Sequence, residues 1–200
     1  MIGGHVAWIR RAAAPGNVGS WELSQYCRIA PGHPVHDSYH ATEYGFPQRM
    51  EEKLFERLCL EIMQAGLSWE LVLKRRAGMH VAFGGYAVDS IAALDAAGRA
   101  ALLANPAIIR NRLKVDAIIA NARRIQAMRA SHGGFAAWLD AHHPRGKPEW
   151  IKLFRENFRF TGGEIVGEFL MSLGYLPGAH AEDCPVLADI RALAPPWMRE

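Results

Sequence analysis

The sequence predicts an all-α protein, and three observations carry that prediction. Apolar residues recur at helical spacing through several long segments, no run of strict alternation marks a strand, and glycine and proline punctuate the gaps between segments. No internal repeat organises the chain. Half of its 200 residues are hydrophobic and 22% are charged, which suits one large core or two small lobes sharing one.

Residues 1–20, rich in Gly and Ala, read as a flexible tail; 21–190 form the helical domain and 191–200 a second tail. Pro31, Gly32, Pro34, Gly45 and Pro47 keep any regular element between 28 and 47 short. A helix then opens with Glu51 and Glu52 in its first turn, where their charge opposes the helix dipole, and runs towards Gly66. Ser68 caps the next, SWELVLKRRAGMHVAF, and VDSIAALDAAGRAALL reads as a third. Asn105-Pro106 ends a helix. After a short turn Val115, Ile118, Ile119, Ala122 and Ile125 trace the buried face of another, which Gly133-Gly134 stops. GEIVGEFLMSLG is a later helix with Ile165, Val166, Phe169 and Leu170 facing the core.

Within this pattern LEIMQAGLSW contains an anomaly. Leu54, Leu58, Glu61 and Ala65 fall on one helical stripe, flanked by Phe55 and Ile62, so Glu61 faces the core. An ionised carboxylate there is costly unless paired or hydrogen-bonded. Either it is bridged to an arginine or caps a helix end, or it is an acceptor for a buried ligand. Tyr39, Tyr44 and Trp69 bracket it in sequence; they are ordinary core, or they stack a flat base whose amino group Glu61 accepts.

The formal charge of +3 is too small to imply nucleic acid by itself. Its distribution says more: Arg110, Arg112, Lys114, Arg123, Arg124 and Arg129 face only one acid, Asp116, over twenty residues spanning a tight helix–helix joint. A solvated helix face remains the alternative. Three cysteines make no disulfide framework and suit a reduced compartment. The N-terminus has no charged start followed by a long apolar stretch, and no window is long and apolar enough for a membrane helix, so a soluble cytoplasmic protein is expected. His180 and Cys184 have the spacing of two metal ligands on one helical turn. Cys27 and His40 are candidates to complete the set, with His33 and His36 as competitors, while Cys59 sits on apolar ground as core.

Taken together, SYHATEYGFP, LEIMQAGLSW followed by VLKRR, AIIRNRLKVDAIIANAR, FRFTGG and the closing H-x3-C resemble the DNA-3-methyladenine glycosylase I family. The resemblance runs from about Cys27 to Cys184 and implies a zinc-containing helix-hairpin-helix DNA glycosylase. It implies a monofunctional enzyme that hydrolyses the N-glycosidic bond of 3-methyladenine, or a related alkylated purine, in double-stranded DNA. It also implies a monomer with no membrane partner. By the same resemblance Glu61 is the base-recognition acid, Tyr39 and Trp69 are stacking aromatics with Tyr44 beside them, and one structural zinc joins Cys27, His40, His180 and Cys184. Leu102 to Arg124 would be the hairpin, with Arg110, Arg112 and Lys114 on the DNA backbone. Gln64, Gly66 and Leu67 would fill the gap left by the extruded nucleotide. The family carries neither the catalytic aspartate of its relatives nor a Schiff-base lysine.

The sequence departs from the family at Ala41, Tyr44, Gly167 and Glu168, and has CRIA where a Trp is usual after the first Cys. These changes bear on substrate range, and leave a retargeted or non-catalytic DNA-binding relative as the alternative.

Overall fold

A computed structural model describes residues 20–199, with side chains from 25 onwards; the expected N-terminal tail lies outside the described residues. Every regular element among them is helical. The order is α1 (Ser20–Ile29), α2 (Asp37–Thr42), α3 (Glu51–Gln64), α4 (Trp69–Ala82), α5 (Val88–Ala92), α6 (Ala96–Ala104), α7 (Arg112–His132), α8 (Phe135–His142), α9 (Lys147–Asn157), α10 (Gly163–Ser172) and α11 (Pro185–Ala192), with two single 3-10 turns. No helix is long and apolar enough to cross a membrane.

Helix α3 is the axis of the molecule. It packs against α4, α5, α7, α8 and α10, and every residue from Leu54 to Met63 is buried. A helix covered on all sides should be apolar all round. This one is not, since Glu56, Arg57 and Glu61 are buried with the rest. Two of the three are matched within an ion-pair network. Arg76 reaches Glu43 and Glu56, Arg57 reaches Glu43, and Lys53 reaches Glu56. Glu61 is outside that network.

Local chemistry places the ends at Ser68 and Gly133 as the sequence suggested, and Asn111 adds a further cap. Ser68 accepts from Leu71 N at 3.3 Å, Asn111 from Lys114 N at 3.2 Å, and Gly133 closes α7 with φ +83. Three expectations fail. The segment read as one helix from Val88 is two, because Asp95 turns the chain and caps α6 by accepting from Gly98 N at 2.8 Å. Helices α8 and α9 are additional; they bring Trp138, Trp150 and Phe154 against Phe135 and Phe169 in an aromatic core. The C-terminal segment is docked rather than loose. Pro196 is buried and Trp197 N donates to Gly174 O at 2.9 Å, so the fold reaches beyond residue 190.

Between α6 and α7 the chain makes a tight connection. Asn105 Oδ1 accepts from Ala107 N, Arg75 donates to Pro106 O at 2.7 Å, and Gly78 of α4 packs directly on Ala107. The joint is thus fixed to α4 rather than hanging free.

Candidate functional site

Glu61 lies on the last full turn of α3, 4% exposed. No hydrogen bond or salt bridge joins it to another described residue. Arg57, one turn earlier, is the nearest candidate partner, yet its guanidinium donates instead to Tyr39 Oη at 2.8 Å and to Glu43 at 3.1 Å. Among the described residues, then, no arginine bridge and no helix-cap contact holds the Glu61 carboxylate. Burial pushes the Glu61 carboxyl well above the usual carboxylate range; the Glu168 charge adds to the rise and Arg57 opposes it.

The aromatic residues expected beside it gather there. Tyr39 and Tyr44 are buried, their centroids 5.7 Å apart with planes 31° from parallel, and Trp69 meets Tyr39 edge-on at 5.1 Å. They come from α2, the turn after it and the start of α4, three places joined only by the fold. Two further residues join the cluster. Tyr26 packs edge-on against Tyr44 at 5.7 Å, and Glu168 of α10 accepts from Tyr44 Oη at 2.9 Å. Arg57 could have been found in the sequence, since it stands four residues before Glu61 on one helix. Tyr26 carried no comparable signal.

Behind the aromatics, Cys27, His40, His180 and Cys184 bring one ligand atom each to within 4.8 Å of one another. His180 Nδ1 lies 3.3 Å from Cys184 Sγ and 3.7 Å from Cys27 Sγ, and His40 Nε2 lies 3.7 Å from Cys184 Sγ. A tetrahedral ion at ordinary Zn–S and Zn–N lengths requires S···N edges of roughly 3.5 Å, so the donor set fits. His180 Nε2 donates to Tyr44 O at 2.7 Å, leaving Nδ1 for an ion and tying this cluster to the aromatic one. Gly45, at φ +87, makes the approach possible: a Cβ there would lie 2.9 Å from Ile190 and 3.0 Å from Ala179. The competitors His33 and His36 stay outside the cluster. The expected helical turn is also absent. His180 lies in a loop and Cys184 precedes α11, so the loop rather than helical pitch sets their spacing.

The residues expected on a DNA surface divide. Gln64, Gly66 and Leu67 form the turn after α3, with Gly66 at φ +79 and Gln64 donating to Leu67 O. Arg110 and Arg112 are exposed at the α6–α7 joint, beside an exposed Leu113. Lys114 is not on that surface. It is 4% exposed, and its ammonium donates to Met63 O at 2.8 Å and Ala65 O at 2.7 Å, the free carbonyls at the C-terminus of α3. The rest of the basic run is also engaged within the molecule. Arg123 holds Ala92 O and Leu94 O, Arg124 holds Asn157, and Arg129 holds Glu51 and Asp89.

A family model described as methyladenine glycosylase matches residues 29–151. The chain belongs to this family. It is 38% identical to DNA-3-methyladenine glycosylase 1 of Escherichia coli over 170 residues, 76% of this chain and 90% of that protein. It is 32% identical to the DNA-3-methyladenine glycosylase of Haemophilus influenzae, covering 91% of it. Among solved structures it resembles a variant of a 3-methyladenine DNA glycosylase I in complex with 3-methyladenine, with TM-score 0.73 at 26% identity. That match covers 81% of this chain and 97% of the other. The Staphylococcus aureus 3-methyladenine DNA glycosylase I is equally similar, with TM-score 0.73 at 26% identity over 82% of this chain and 97% of its own.

Proposed function

We propose that this chain hydrolyses the N-glycosidic bond of 3-methyladenine in double-stranded DNA, holding the extruded base between Tyr39, Tyr44 and Trp69 against Glu61. The observation that carries the assignment of roles is the buried carboxylate of Glu61, which no other described side chain satisfies, at the edge of an aromatic cluster. Keeping such a group costs stability, so the fold retains it for a ligand that pairs with it.

The chemistry needs little else. N3-methylation leaves the adenine ring with a formal positive charge, and the bond to C1′ is weakened before the enzyme acts. Extrusion brings the ring to Glu61, which accepts from the exocyclic amine and stabilises the cation from a site shielded from water. The cation in turn draws the Glu61 carboxyl back towards its ionised form. As the glycosidic bond breaks its electron pair returns to the base, which leaves neutral. A water molecule adds to C1′ and gives up its proton. Arg57 holds the Tyr39 hydroxyl and so fixes the stacking ring.

DNA is engaged by backbone contacts, with α6, the joint and α7 acting as a helix-hairpin-helix. Arg110 and Arg112 are the phosphate contacts, while Gln64, Gly66 and Leu67 occupy the space the base vacates. Zinc is the ion assigned to Cys27, His40, His180 and Cys184. With four protein ligands it would be structural, bracing the chain ends behind the base pocket.

Base release from an alkylated duplex tests the reading. Purified protein should liberate 3-methyladenine and leave intact abasic strands. Undamaged release kinetics in the presence of the protein, no faster than in buffer, would refute it.

A further inference from the structure

We propose that Lys114 is a positioning residue for base extrusion: it locks the turn that fills the vacated space, residues 64–67, in register with the joint that grips the DNA backbone. The role rests on the glycosylase reading and names the strut that makes those two DNA contacts act together.

Lys114 stands in the first turn of α7, where a cation opposes the helix dipole and no acid offsets it. The end of α3 has the complementary need, because its last turn holds no basic residue to meet its carbonyls. Backbone from the following turn reaches Gln64 O, through Leu67 N at 2.7 Å. The carbonyls on either side, Met63 O and Ala65 O, accept from the Lys114 ammonium at 2.8 and 2.7 Å, from 51 and 49 residues away in sequence.

The lysine is fixed at both ends. Its main-chain N–H donates to Asn111 Oδ1 in the joint at 3.2 Å, beside the exposed Arg110 and Arg112. Its ammonium holds the start of the turn, within which Gln64 donates to Leu67 O at 3.2 Å. Gly66 at the tip is exposed, and a Cβ there would meet nothing within 4 Å, so the turn projects clear of the molecule. One side chain thus spans from the phosphate-facing joint to the projecting turn and to the helix end that carries Glu61. A second contact braces the joint from α4, where Arg75 holds Pro106 O and Gly78 packs on Ala107; α4 itself begins at Trp69. With both in place, engaging the backbone sets where the turn enters the duplex and where the pocket stands to receive the base.

Two variants disturb this register from opposite sides. Lys114→Met removes the strut. Gly78→Val pushes on the joint without removing a charge, since even an added Cβ would lie 3.0 Å from Ala107 Cβ and 3.2 Å from Ala107 O. Replacing a helical glycine also raises helix propensity, which favours folding of the second variant. Thermal midpoints fix a temperature at which each variant is folded, and Gly78→Val decides alone if Lys114→Met does not fold. Three quantities are compared with wild type: single-turnover base release from methylated duplex at saturating protein, affinity for undamaged duplex, and affinity for free 3-methyladenine. Release should fall about tenfold or more, as a misplacement of about 1 Å suffices to cause, while both affinities stay within about threefold. Release within about threefold of wild type in a folded variant overturns the proposal and leaves the contact purely structural. A loss of free-base affinity in step with release also overturns it, by placing the damage in the pocket. Wild-type release is scored first, so failure of the glycosylase reading is distinguishable from failure of this one.

Discussion

Replacing Lys114 with methionine separates a structural lysine from a DNA-binding one. The ammonium makes two short hydrogen bonds to main-chain oxygens at the end of α3, and burial lowers its pKa. Hydrogen bonds to a charged group contribute about 1.5–3 kcal/mol each, so about 3–6 kcal/mol of interaction disappears with the amine. Methionine keeps the aliphatic stem and no longer buries a charge, which offsets part of the loss. The net destabilisation is about 2–4 kcal/mol, and at about 2–4 °C per kcal/mol for a chain of this size the midpoint falls by about 4–16 °C. Binding to undamaged duplex DNA, followed over a salt series, should keep the wild-type slope in Lys114→Met at a temperature where the variant is folded. Arg112→Ala, at an exposed position, should lose about 0.9 of slope and almost no stability. A Lys114→Met variant with an unchanged midpoint and a reduced salt slope would refute the reasoning and return Lys114 to the phosphate surface.

Other outcomes follow from the same geometry. Glu61→Gln should slow single-turnover release of 3-methyladenine by about 10²–10³, the scale of losing one preorganised electrostatic group. It should also raise stability at neutral pH by about 1–3 kcal/mol. The sign follows from the raised carboxyl. Above the unfolded value of about 4.3 the unfolded chain ionises more readily, so the native Glu61 costs stability there, and the variant's advantage fades as pH falls towards that value. A fallen midpoint with undiminished release would make Glu61 structural. Protein purified without added metal should carry one zinc per chain by elemental analysis, and Cys184→Ser should lose both the zinc and several degrees of midpoint. Stoichiometric zinc retained in that variant would move the site elsewhere.

Much of the site was legible in the sequence because its signals are local. Glu61 stands out against a helical stripe of leucines, and the Cys and His residues mark the two ends of the domain. The caps at Ser68 and Gly133 are short-range chemistry that survives in the fold. The basic run misled for the opposite reason. Six cations in twenty residues look like one surface, but Lys114, Arg123, Arg124 and Arg129 each turn to a partner at least 29 residues away in sequence. The split between α5 and α6 went unread because Asp95 resembles any helical acid until its side chain is seen to accept from Gly98 N. Helices α8 and α9 are short and set between glycines and prolines, so their periodicity does not rise above the turn signals around them.

By itself, then, the sequence determined the all-helical class, the buried acid and the Cys and His residues that could meet in one cluster, since period and residue type are properties of a few neighbouring residues. Only the tertiary structure decided which cations face solvent, that Arg57 is spent on Tyr39 and Glu43 rather than on Glu61, and that Glu168 reaches Tyr44 from 124 residues away. Those outcomes depend on which partners compete for each charge once water is excluded, and the competition exists only where the helices meet.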